Sequence, residues 1–152
     1  LGGPEYIVLD EPTVGLDPKE RLVFRNLVNE IGADKMILIS THIIDDVQAA
    51  CENILVLHNG NLLYNGKTQG FIDGVSKQVY TARIPRAELS QWNTVLDIIS
   101  VKLFGEELEL RYYENEQGNS LDGKKAACTL EDAYFFATGM FYRKGVFNEA
   151  LH

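Results

Sequence analysis

Three acidic side chains near the start of the sequence have the spacing to do chemistry. Asp10 and Glu11 stand side by side at the end of the apolar run "YIVL", and Asp17 follows seven residues after Asp10. A carboxylate in such a place can anchor a divalent cation, through water where the cation is Mg2+, and its neighbour can orient or deprotonate a water molecule. His42 joins them by position, because it directly follows "ILIST", the end of a second apolar run. A polar or cationic ring there is suited to a phosphate oxygen. A metal anchor, a base and a phosphate sensor are the parts that phosphoryl transfer asks of a protein.

Such groups work only if elements of the fold bring them together. "YIVL" is a continuous apolar run, which predicts a parallel strand covered on both faces. Asp17, Pro18 and Glu20 then have the order of a helix start, with Asp17 as N-cap, Pro18 at the first helical position and Glu20 completing a capping box. Phe24, Leu27, Val28 and Ile31 recur at helical spacing until Gly32, a natural stop. "KMILIS", residues 35–40, predicts a second buried strand, and a short helix is expected from about Ile43 to Glu52 with Ile44, Val47 and Cys51 on one face. Strand, helix, strand, helix is the pattern of a parallel sheet with right-handed crossovers, whose ligands collect at the carboxyl ends of the strands. Asp10, Glu11 and His42 all fall at those ends.

In "NILVLHNGNLLYNGKT", residues 53–68, Asn59-Gly60 between apolar segments predicts a two-residue hairpin turn. Its tail imitates a phosphate-binding loop, but five residues separate Gly60 from Gly66-Lys67-Thr68 where that motif requires four. Gly60 is also taken up by the turn, and "NLLYN" has strand character instead of small residues able to wrap a phosphate. Further on, residues 77–84 alternate as a strand, and Pro85 opens a short helix through about Gln91. "IISVKLFGEELELRYY" reads as two strands joined near Gly105 to Glu107, residues 115–128 as a polar loop, and Thr129 with Asp132 as the capping box of a helix ending at Gly139. The expected organisation is an α/β unit over residues 1–74 and a small α+β unit over residues 75–152.

Composition narrows the classes. The chain of 152 residues is 45% hydrophobic and 24% charged, with a net charge of -8. The deficit is concentrated in residues 1–75, which hold 5 Lys/Arg against 11 Asp/Glu, while residues 76–152 hold 9 against 11. An acidic chain without a basic patch is unsuited to nucleic acid or to an anionic lipid surface. No apolar stretch reaches the roughly 20 residues of a membrane span, and the start lacks the features of a signal peptide. A cytoplasmic chain is expected, with no direct membrane insertion. Cys51 and Cys128 lack metal-ligand spacing and receive no role.

Plainer readings compete with each functional one. Asp10 and Glu11 could be a solvated pair at a strand end, but an apolar strand before them and a histidine at the next strand end favour a site. Asp17 is accounted for by capping alone, worth about 1 kcal/mol. His58 and His152 lie at a hairpin strand end and at the terminus and are assigned nothing; Tyr134, Phe135 and Phe136 read as a core face, and Glu106, Glu107 and Glu109 as a solvated turn and strand edge.

"YIVLDEPTVGLDP" followed by "ILISTHIIDDVQAAC" resembles the later half of the ATP-binding subunit of ABC transporters. In that resemblance "YIVLD" is similar to the Walker B strand, with Asp10 holding Mg2+, mostly through water, and Glu11 matches the catalytic glutamate. "VGLD" resembles the D-loop, which places Asp17 at an interface with a second copy, and His42 matches the switch histidine. "LVLHNGNLLYNG" matches the usual continuation, and the second half, with "TLEDAYFFATG", is similar to the C-terminal extension of bacterial exporter subunits.

The resemblance implies the C-terminal part of a P-loop NTPase parallel-sheet core, ATP and Mg2+ as ligands, and a transmembrane permease and a second ATP-binding subunit as partners. It places the protein peripherally on the inner face of the cell membrane. Departures matter equally: the glycine-rich Walker A loop, the adenine-stacking aromatic, the glutamine loop and an "LSGGQ"-like signature are all missing, and in the family they precede the Walker B strand. The sequence is therefore expected to be part of a longer subunit and inactive alone. Two competitors are a soluble ABC-type ATPase of DNA repair or chromosome organisation, and a non-catalytic module that kept the fold. The reading frame upstream of Leu1 discriminates the last of these.

Overall fold

A computed structural model describes residues 3–114 and 121–142. It is a mixed α/β arrangement built on three sheets. β1 (Tyr6–Asp10) pairs in parallel with β2 (Met36–Ser40), in a register running from Tyr6 opposite Met36 to Asp10 opposite Ser40. The connection contains α1 (Pro18–Gly32), which starts as its sequence predicts. Asp17 is extended, its carboxylate accepts from the Glu20 amide, and the Glu20 side chain accepts from the Asp17 amide. α2 (Ile44–Ala50) follows β2 and is shorter at both ends than its apolar pattern implies, since Cys51 has already turned to extended backbone.

The expectation that the first apolar strand is covered on both faces is not met. Tyr6 and Val8 are 68% and 72% exposed, and Met36 and Leu38 on the neighbouring strand are 65% and 52% exposed. α1 packs against β2 and α2, but among the described residues no layer covers the alternate side chains of this sheet.

β3 (Asn53–His58) and β4 (Asn61–Lys67) form the antiparallel hairpin. Its turn places Asn59 at φ 48° and Gly60 at φ 75°, the two left-handed residues that a tight hairpin of matching twist requires. β4 runs into α3 (Thr68–Asp73). The Lys67 ammonium of the imitation phosphate loop is paired with Glu52 at 3.1 Å.

β5 (Val79–Pro85) leads through a turn of 3-10 helix at Arg86–Glu88 into α4 (Leu89–Trp92). β6 (Ile98–Phe104) and β7 (Glu107–Tyr113) then form the next hairpin, with Gly105 left-handed at φ 62° in its turn. Part of the stretch expected as a loop is a strand: β8 (Lys124–Ala126) pairs antiparallel with Val79 to Thr81, while residues 115–120 of that stretch lie outside the described residues. "KKA" carries no apolar alternation, so its pairing comes from the hydrogen-bonding edge of β5, reinforced by the Gln78 amide donating to the Ala126 carbonyl. The antiparallel sheet has the order β6-β7-β5-β8.

α5 (Leu130–Thr138) closes this sheet, capped by Thr129 with Asp132 and terminated by Gly139 at φ 66°. Tyr113 is fully buried, and its ring meets Phe136 and Phe141 edge-on. The same helix sets Leu130 and Ala133 against Ile54, Val56 and Phe71. The hairpin, α3 and α5 therefore share one apolar cluster.

Candidate functional site

The parallel register puts Asp10 opposite Ser40, so the next residues, Glu11 and Thr41, also leave the sheet side by side. Ser40 Oγ donates to the Asp10 carboxylate in a short hydrogen bond. Glu11 adopts φ 44°, a left-handed conformation that costs a residue with a side chain about 1–3 kcal/mol and recurs at functional sites. The turn is held by the Glu11 amide donating to the Ser40 carbonyl at 2.8 Å.

That turn aims the Glu11 carboxylate across the gap between the strand ends. Oε1 lies 2.7 Å from His42 Nδ1 and accepts from the His42 amide at 3.2 Å, while Oε2 accepts from Thr41 Oγ1 at 3.0 Å. These bonds, that of His42 Nδ1 foremost, together outweigh desolvation, which acts the other way, and hold the Glu11 carboxyl below its ordinary range. Glu11 is accordingly ionised at neutral pH, and an ionised carboxylate only accepts. Nδ1 of His42 therefore carries the proton of this bond, and Nε2 is the nitrogen left for other partners. Both side chains remain reachable from solvent, Glu11 at 36% and His42 at 76% exposure.

The structure thus brings Asp10, Glu11 and His42 to one edge of the β1-β2 sheet, while the carboxylate of Asp17 is engaged at the start of its own helix. Among the described residues no group of three or more His, Cys, Asp or Glu side chains could cage a metal ion. Asp10 by itself, a carboxylate at an exposed strand end, has the chemistry of a single anchor for Mg2+, a cation that keeps several waters and takes its remaining ligands from phosphate oxygens.

Three groups of functional neighbours escape a reading of the sequence by motif. Ser40 and Thr41 orient the two carboxylates, and an in-register pairing of "LDE" with "IST" could have found them. Thr13, buried just after the turn, donates to Asp46 at 2.5 Å. Arg25 reaches the same carboxylate at 2.6 Å from 21 residues away, and no local pattern announces either bond.

A carboxylate and an imidazole hydrogen-bonded across the ends of two parallel strands mark one edge of a mixed α/β protein. Comparison with known proteins makes this more particular. The chain is 35% identical over 71 residues to the ABC transporter ATP-binding protein NatA of Bacillus subtilis, a match covering 46% of this chain and 29% of that protein. It is 38% identical over 68 residues to a putative ABC transporter ATP-binding protein of Mycoplasma pneumoniae, covering 43% and 21%. It is 35% identical over 74 residues to the Nod factor export ATP-binding protein I of Rhizobium meliloti, covering 48% and 22%. No family model matches the chain. The chain is related to the ATP-binding proteins of ABC transporters and spans less than a third of the length of these relatives.

Proposed function

We propose that the chain supplies the water-activating part of an ATP-hydrolysing subunit of an ABC transporter of exporter type. The observation that carries this reading is the Glu11 carboxylate held 2.7 Å from His42 Nδ1 at adjacent strand ends, in a chain whose relatives are named as ATP-binding and, in part, as export proteins. Residues 1–74 form the C-terminal part of its nucleotide-binding domain, within a P-loop NTPase core, and residues 75–152 an accessory extension.

Glu11 acts as the base. It is ionised, and Thr41 and His42 fix its direction, so it can align a water and accept its proton. His42 offers Nε2 to a γ-phosphate oxygen while Nδ1 stays bound to Glu11, which couples the phosphate contact to the position of the base. Asp10, steadied by Ser40, serves as the anionic anchor for Mg2+. Bound there, Mg2+ neutralises phosphate charge. Asp17 lies at the interface with a second ATP-binding subunit. The subunit rests on a transmembrane permease at the cytoplasmic face of the membrane; no helix among the described residues is itself long and apolar enough to cross one.

The experiment separates the two carboxylates in the transporter subunit that carries this sequence. Glu11→Gln retains nucleotide binding while hydrolysis slows about 100-fold to 10,000-fold, the usual loss when a general base is removed. Asp10→Asn instead weakens Mg2+-dependent nucleotide binding. Equal loss of affinity in both variants with turnover per bound nucleotide unchanged would overturn the assignment.

A further inference from the structure

Asp46 is a buried carboxylate on a helix of only seven residues, and nothing in its local sequence accounts for its burial. Its partners come from three directions. Oδ2 accepts from Thr13 Oγ1 at 2.5 Å, and Oδ1 accepts from Arg25 Nε at 3.2 Å and Nη2 at 2.6 Å. Arg21 Nη1 stands 4.0 Å away. Burial pushes the Asp46 carboxyl up, but the hydrogen bonds from Thr13 and Arg25 and the charges of Arg25 and Arg21 outweigh it and hold it below its ordinary value. The group is an ion at neutral pH, enclosed by a hydroxyl and a guanidinium fork. Thr13, Arg25 and Asp46 also line a small pocket with the apolar Pro12, Phe24 and Val47.

The location of these atoms gives the cluster its meaning. Thr13 lies two residues after Glu11, on the loop that leaves β1 through the left-handed turn, and Asp46 lies four residues after His42, in the first turn of α2. The two strand-end loops are thus tied at two levels. The outer tie, from Glu11 to Thr41 and His42, lies in reach of water, where ion pairs hold geometry weakly. The inner tie, from Thr13 to Asp46, is buried. Among residues 3–52 the buried side chains are Val28, Thr13 and Asp46. Ile44, Val47 and Cys51 of α2 pack toward the apolar cluster of Ile54, Val56 and Phe71, and the directional bonds of Asp46 add the tie from α2 to the loop after β1.

We propose that Asp46 is a positioning residue: by gripping Thr13 from α2 while Arg25 anchors it to α1, it sets the distance between Glu11 and His42. This rests on the reading of Glu11 and His42 as the working pair. A purely structural Asp46 would stabilise the region without controlling that distance, and a hydrophobic group of similar volume could do as much, since buried ion pairs are seldom better than apolar packing for stability. What the ion pair adds here is direction.

The test uses the 152-residue chain, nitrogen-15 labelled, with no nucleotide present. At fixed neutral pH the His42 ring nitrogens and the cross-relaxation between His42 and the Glu11 and Thr41 side chains report the pair directly. Thr13→Val keeps nearly the same shape and replaces the hydroxyl with a methyl group; the hydrogen-bonded signature of Nδ1 and the His42–Glu11 cross-peaks are lost, while resonances of Val79–Tyr113 stay in place. Thr13→Ser, which restores the hydroxyl, restores both. A Thr13→Val chain that keeps the signature overturns the proposal, as does a Thr13→Ser chain that fails to restore it.

Should Thr13→Val unfold the first region, Arg25→Lys decides in its place. It keeps the charge but gives up the guanidinium fork, so the proposal requires a weakened signature and is overturned by an unchanged one. Because no nucleotide enters these measurements, their failure is distinct from a failure of the catalytic reading, which the turnover of Glu11→Gln tests by itself.

Discussion

Residues 3–52 and residues 79–142 hold their strands in place by different means. In the second region Val79 and Tyr113 are enclosed with Phe135 and Phe136 of α5, and Ile84, Ile98 and Leu110 with Leu89 and Trp92 of α4; the strand residues of both groups each have at most 1% of their surface exposed. In the first, alternate apolar side chains of β1 and β2 face outward, and two of the three buried side chains are the polar Thr13 and Asp46. The region that holds the candidate site is therefore the one with fewer buried apolar side chains. Hydrogen bonds act through direction and apolar contacts through area. Side chains that must be aimed gain from the first kind of tie, and a unit held by its core gains from the second.

The largest effect that would break this contrast lies in the sheet of the second region. Leu110→Ala removes a buried side chain of the central strand β7, and such truncations cost about 2–5 kcal/mol. Val8→Ala, on the open face of β1, should cost under about 0.5 kcal/mol. Urea denaturation followed by circular dichroism checks both, and equal losses would show that the outward face of β1 is as well packed as the sheet core.

Acid should affect both regions, because each contains one buried carboxylate paired with arginine. For Asp132, burial raises the carboxyl, but the bonds from Arg111 at 2.7 Å and 2.5 Å and those from Thr129 outweigh it and leave the carboxyl below the ordinary 3.8. Asp46 is shifted the same way. A carboxyl depressed in the folded state contributes stability that is fully present above its unfolded value and is lost as pH falls through the folded value. The chain should keep its stability from neutral pH down to about 4 and lose it below. Asp132→Asn should flatten that decline for the second region alone, as read from residue-specific melting by NMR. A decline unchanged in the variant would mean that other carboxylates carry it.

How legible all this was in the sequence depends on how far apart the cooperating residues stand. The start of α1 at Asp17 to Glu20, the left-handed turn at Asn59-Gly60 and the cap of α5 at Thr129 to Asp132 are contained in four-residue windows, and each forms as its residue types require. The approach of Glu11 to His42 spans 31 positions, and it was still readable because two apolar strands in parallel register carry both residues to the same edge. Three features had no such carrier. The left-handed Glu11 has no signal in residue type, since glutamate seldom adopts that backbone. The strand at Lys124–Ala126 is dictated by the edge that it joins. Asp46, in the first turn of α2, reads locally as an ordinary N-terminal acid, and its burial follows only from the arrival of Arg25 and Thr13.

A change that should scarcely move stability sharpens the contrast furthest. Tyr6, Val8, Met36 and Leu38 form a contiguous apolar face on two hydrogen-bonded strands, Tyr6 beside Met36 and Val8 beside Leu38. Apolar faces left open on a short sheet recruit other surfaces, and with no other partner present a second copy of the chain is the available one. The isolated chain should therefore self-associate as its concentration rises, despite a net charge of -8 that opposes contact. Val8→Lys together with Leu38→Lys would place two like-charged ammonium groups opposite each other on that face; the unfolding free energy should move by less than about 1 kcal/mol. Sedimentation velocity should then show the variant as a monomer at concentrations where the parent chain is associated. A parent chain that stays monomeric throughout would mean that this face is closed in solution, and a variant that still associates would move the contact elsewhere, to the hairpin leucines Leu55, Leu57 and Leu62, the next exposed apolar group.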